Sequence, residues 1–222
     1  LLWNPSEEVE KEAEITKYME WLNENKNFNP KSYDDLWNWS IMNMEDFWES
    51  IWEYYQVKSY TPYESVLNTE TTPGTDWFPG ATLNYAEHIL RNVDKEKTAI
   101  YYKSENRALS KMSWGELIEK TASVAAYLKK SGVKQGDRVV AYMPNIPETI
   151  IAFLATASIG AIWSSCAPEF GVGSTLGRFK QIKPKILFTV DGYRYNVFSC
   201  YGDHRDVHSF PTRRCSGTVC SS

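Results

Sequence analysis

The chain has 222 residues, 42% of them hydrophobic and 23% charged, and its formal net charge is −4. That apolar fraction can bury a sizeable core and excludes general disorder, while the acidic balance excludes a nucleic-acid binder held by phosphate contacts. No apolar run approaches the roughly 18 residues of a membrane span, and no basic-then-apolar leader opens the sequence, so a cytoplasmic protein without membrane or nucleic-acid partners is expected.

Residues 1–92 are expected to form a helical, aromatic-rich region. Val9, Ala13, Ile15, Tyr18, Met19 and Leu22 recur near helical spacing. "SYDDLWNWSI" can open a second helix with Ser32 as its N-cap. "MEDFWESIWEYYQV" places Phe47, Trp48, Ile51, Trp52 and Tyr55 on one broad helix face. Its polar side is acidic rather than basic, which favours a face packed on protein over one lying on a membrane. Pro62, Pro73, Gly74, Pro79 and Gly80 mark a wrapped connector. His88 lies in "NYAEHIL" with no second histidine nearby, and reads as a hydrogen-bonded structural residue.

From about residue 97 strands and helices alternate. "TAIYYK" is a strand. Ser113 and Glu116 form a capping box ahead of Leu117, Thr121, Val124, Ala125 and Leu128, and Gly132 ends that helix. "QGDRVVAYM" turns at Gly136 and Asp137 into an apolar strand. Pro147 suits the first turn of "PETIIAFLATASIG". "AIWSS" is the next strand, Ser174 can cap "STLGRFKQI", and "KILFTVD" is the strand that follows Pro184. The expected fold class is therefore α/β: a helical N-terminal region followed by part of a parallel sheet with flanking helices.

Parallel sheets bind ligands beyond the carboxyl ends of their strands. "SSCAPEFG", residues 164–171, is such an end. Its small side chains permit a ligand to approach the backbone, although serine and proline are also ordinary loop residues. "GVGSTLGRFK" is not a phosphate loop. Lys180 is misplaced for G-x-x-x-x-G-K-[ST], and Gly177 falls one position late for G-x-G-x-x-G. A capping loop with one glycine facing a neighbouring strand is the alternative. Cys166, Cys200, Cys215 and Cys220 show no CxxC pairing, so unpaired thiols are expected rather than a metal site or disulfides. No catalytic constellation emerges.

Three longer stretches carry a resemblance. "WFPGATLNYAEHIL", "VVAYMPNIPETIIAFLATASIGAIWSSCAPEFG" and "RFKQIKPKILFTVDGYRYN" resemble the acetoacetate–CoA ligase (acetoacetyl-CoA synthetase) family of the acyl-adenylate-forming superfamily, from about residue 35 to residue 196. Departures are mild: the family usually carries Asn where His88 stands, and Ser-Pro-Asp where this chain has Ala167, Pro168 and Glu169. The resemblance implies a two-step reaction. Acetoacetate and ATP give an acyl-adenylate and diphosphate, and the thiol of CoA then displaces AMP. It implies ATP, CoA and Mg²⁺ for a full-length parent, with acetoacetate as the acid. A related acetate or propionate ligase, or a non-enzymatic interaction module, is the alternative.

By that same resemblance residues 93–196 are the start of an AMP-binding domain. Trp163, Ser164 and Ser165 match a strand end that borders the CoA groove, and Arg194 matches an arginine that meets the CoA 3′-phosphate. An aromatic face can pack on adenine, and a guanidinium forks onto phosphate. The phosphate loop and the lysine of a mobile C-terminal domain are not found, so the chain is expected to be a fragment, inactive alone. Residues 197–222 show no helix or strand period. "HSFPTRR" resembles translated sequencing-adapter DNA, and this tail is expected to lie outside the fold as an artefact or a splice tail.

Overall fold

The computed structural model describes residues 4–195 except 70, 72 and 106, together with the backbone of two further strands at 198–201 and 213–216. The chain divides into two units, Leu1–Leu83 and Asn84–Ser222.

The first unit is helical. Ser6 caps α1 (Glu7–Glu12), its hydroxyl accepting from the Val9 amide. Ala13 then turns extended, at φ −62° and ψ 137°, so the single apolar period over 9–22 becomes two helices, α1 and α2 (Glu14–Asn25). Ser32 caps α3 (Tyr33–Met42) as expected, accepting from the Asp35 amide at 3.1 Å. α4 (Met44–Tyr54) follows after one residue. Tyr18, Leu22 and Leu36 form the buried centre, and Phe47 and Ile51 of the broad α4 face pack against it. The Ser50 hydroxyl donates to the Phe47 carbonyl, so its oxygen is left to accept from Tyr18 at 2.6 Å. The connector closes on itself through bridges at Thr61 and Thr82 and at Leu67 and Trp77.

The second unit is α/β. α5 (Tyr85–Leu90) precedes an antiparallel hairpin of β1 (Thr98–Tyr102) and β2 (Ser110–Ser113). The expectation that "TAIYYK" joins the parallel sheet is corrected here. Reciprocal backbone bonds between Ser104 and Arg107 fold the chain straight back, so β1 finds a local partner. α6 (Trp114–Lys130) starts at the expected Ser113–Glu116 capping box. β3 (Arg138–Tyr142), α7 (Pro147–Ser158), β4 (Ile162–Cys166), α8 (Val172–Ile182) and β5 (Ile186–Thr189) then alternate. Ser174 does not cap α8. The flanking residue is Gly171, whose carbonyl takes the first helical bond from the Thr175 amide at 3.1 Å.

β4, β3 and β5 lie side by side in parallel, and β8 (Arg213–Ser216) adds a fourth parallel strand beside β5. β6 (Gly192–Tyr195) pairs with β7 (Phe198–Tyr201) as a separate hairpin. β7 and β8 fall within residues 197–222. Backbone ladders need no apolar period, and "RRCS" shows none. Alternate residues of the parallel strands face two helical layers. Val139, Trp163, Ile186 and Phe188 meet Leu128 of α6 and Ala155 of α7. Val140, Tyr142, Cys166 and Leu187 meet Phe179 of α8.

Candidate functional site

Registers Tyr142↔Cys166 and Tyr142↔Thr189 bring the carboxyl ends of β4, β3 and β5 level with one another. Beyond them run the β3–α7 segment at 143–146 and the turn at 167–171. The Thr149 hydroxyl donates to the Pro144 carbonyl at 2.8 Å and fixes the first segment. Tyr142 fixes the second. The residue is 8% exposed within the β-sheet–α8 layer, and its hydroxyl reaches the carbonyls of Pro168 at 2.7 Å and Phe170 at 2.8 Å. Burial, with the neighbouring Cys166 and Glu169, raises the Tyr142 pKa above the ordinary phenol value, so the proton stays on the donor. Phe170 is exposed and carries the Arg178 guanidinium 4.7 Å from its ring centre.

Trp163, Ser164 and Ser165 stand consecutively on β4, with Cys166 buried after them. They do not share a face. Trp163 is half-buried toward α6 and α7, with Phe153 at 6.1 Å and Phe188 at 6.3 Å between ring centres. Strand alternation puts Ser165 on the Trp163 side and Ser164 on the Cys166 side. Ser165 is exposed. Arg194 lies in β6, within the β6–β7 hairpin rather than the parallel sheet, and its side chain is outside the described residues.

Two cations, Arg138 and Lys185, are fixed at the other end of the sheet. Arg138 opens β3, and its guanidinium donates to the Ile182 and Lys183 carbonyls at the end of α8, at 2.7 and 3.3 Å. Lys185, just before β5, donates to the Gly132 carbonyl and to Asp137. Both satisfy helix C-termini. Among the described residues no group of three or more His, Cys, Asp or Glu side chains could hold a metal ion. A Cβ added at Gly171, Gly173 or Gly177 would meet nothing within 4 Å, which corrects the expectation that one of them faces a neighbouring strand.

His88 is also corrected. Its Nδ1 is buried without a hydrogen-bond partner, and burial with the nearby Arg91 charge lowers its pKa. Sequence reasoning missed the Tyr142 bonds. The signal was present: a phenol closing the apolar run "VVAY" must find a partner once buried.

Two family models match the chain. The one described as acetyl-coenzyme A synthetase N-terminus matches residues 33–89, and the one described as AMP-binding enzyme matches residues 88–218, more than half of the chain. The chain belongs to the AMP-binding enzyme family. This family member is similar to the acetoacetyl-CoA synthetase of Rattus norvegicus, 43% identical over 168 residues that cover 74% of this chain and 25% of the relative. It is 36% identical to the acetoacetyl-coenzyme A synthetase of Rhizobium meliloti (strain 1021) over 208 residues, 94% of this chain and 31% of the relative. Among solved structures it resembles the acetoacetyl-CoA synthetase from Streptomyces lividans, with a TM-score of 0.86 and 40% identity over 100% of this chain and 36% of that one. The chain therefore spans about a quarter to a third of the length of the relatives it matches. No helix among its described residues is long and apolar enough to cross a membrane.

Proposed function

We propose that the chain supplies part of a cytoplasmic acetoacetate–CoA ligase, which forms acetoacetyl-CoA, AMP and diphosphate from acetoacetate, ATP and CoA. The observation that carries this reading is the 40% identity and TM-score of 0.86 to the Streptomyces lividans acetoacetyl-CoA synthetase across the whole chain. In the first step the acetoacetate carboxylate attacks the α-phosphorus of ATP and diphosphate leaves. In the second the CoA sulfur attacks the acyl carbon, and AMP leaves with the bonding electrons. Mg²⁺ would accompany ATP.

The chain's own part is to border the CoA groove. Trp163 supplies the half-buried aromatic edge of β4, and Ser164 and Ser165 leave room for close approach to its backbone. Arg194 would take the 3′-phosphate through its bidentate fork. The test is a chimera in which this chain replaces the matched segment of the Streptomyces lividans enzyme. It should release AMP only when acetoacetate, ATP and CoA are all present. Arg194→Ala in that chimera should raise the KM for CoA while leaving diphosphate release nearly intact. A folded chimera with no acetoacetate-dependent AMP release would overturn the reading.

A further inference from the structure

We propose that Tyr142 is a positioning residue whose hydroxyl holds the turn at 167–171 in the form that receives CoA beside β4. The proposal rests on the ligase reading above and adds a residue to it. One hydroxyl proton is shared between the Pro168 and Phe170 carbonyls, at 2.7 and 2.8 Å. The Phe170 carbonyl also faces the Thr175 hydroxyl at 3.5 Å, and the Gly171 carbonyl takes the Thr175 amide. The turn is thereby tied to both β3 and the first turn of α8.

Packing alone does not require this hydroxyl. The Tyr142 ring fills its place beside Val140, Cys166, Phe179 and Leu187, and phenylalanine would fill it equally. The oxygen bonds the turn's backbone rather than its side chains. The turn's backbone is thus held from the neighbouring strand. That turn leads directly from Ser165 and Cys166, at the strand ends where parallel sheets receive ligands. A loosened turn would have to be ordered again by the incoming ligand, which weakens binding without touching the reacting atoms.

The test has two arms. In the 222-residue chain, Tyr142→Phe should speed hydrogen exchange of the amides at 169–175 while leaving those of β3 unchanged. In the chimera it should raise the KM for CoA roughly three- to tenfold, the scale of one neutral hydrogen bond, with kcat and diphosphate release unchanged. Pro168→Gly, which frees the turn without touching the sheet, should reproduce both effects and decides the matter if Tyr142→Phe does not fold. Unchanged exchange overturns the clamp. Faster exchange with an unchanged KM for CoA overturns its role in receiving CoA. A folded but inactive unmutated chimera overturns the ligase reading, and the exchange arm alone then judges whether the hydroxyl orders the turn.

Discussion

His88 shows at the scale of one residue how a polar atom left alone becomes a pH-dependent liability. Its Nδ1 is buried and unpartnered, and burial and Arg91 both disfavour the imidazolium. The folded pKa therefore lies below the unfolded one. As pH falls through the unfolded value, about 6.5, the unfolded chain takes up a proton first and stability drops. The loss levels off once the folded imidazole is protonated as well. His88→Asn should flatten the change in denaturant midpoint between about pH 7.5 and about pH 5.5, because the amide does not titrate. An equally steep profile in the variant would place the titration elsewhere. Trp163 shows the limit of reading residues one at a time. Its type and position on a strand were legible, but not that Phe153 and Phe188 would flank its ring, since those contacts join α7 and β5 across the sheet.

At the scale of elements, Asn84 accounts for part of the "LNYAEHIL" stretch. Its Oδ1 accepts from the Glu87 amide and caps α5, while its Nδ2 donates to the Ala157 and Ser158 carbonyls at the end of α7. One amide thus closes the start of one helix and the finish of another. Asn84→Ala should cost about 1–2 kcal/mol in a denaturant titration, and Asn84→Asp should recover only the α5 share, because a carboxylate cannot donate. Equal stability of all three forms would show that water replaces both sets of bonds. Much of this layer could be read from the sequence. The Ser113–Glu116 box, Ser32, Pro147 and the apolar runs of β3 and β5 act through neighbours in the chain, so local pattern suffices. The β1–β2 hairpin, β7 and β8 depend on pairing partners, and short polar strands such as "SKMS" and "RRCS" carry no period to announce them. The candidate site follows the same division. The strand ends themselves were legible, whereas the Tyr142 bonds across 26 and 28 residues were not.

For the whole molecule, the disposition of charge bears on activity. Arg138 and Lys185 serve helix ends at the amino side of the sheet. Adenylation needs positive groups directed at the phosphates in the transition state. The 222-residue chain alone should therefore form no AMP and diphosphate from ATP and acetoacetate above a no-enzyme blank, and any clear excess would show a phosphate site within it. The aromatic residues are divided just as unevenly. Of nine tryptophans, seven (3, 21, 37, 39, 48, 52 and 77) precede residue 84, leaving Trp114 and Trp163 for the α/β unit. Trp48 and Trp77 meet edge to face at 5.5 Å between ring centres, close enough for their excited states to couple. Optically the protein is lopsided: most of its tryptophans lie in the helical unit, while the parallel sheet carries Trp163 alone. A fluorescence melt would be weighted toward one half of the chain, and far-ultraviolet dichroism would weigh the two more evenly.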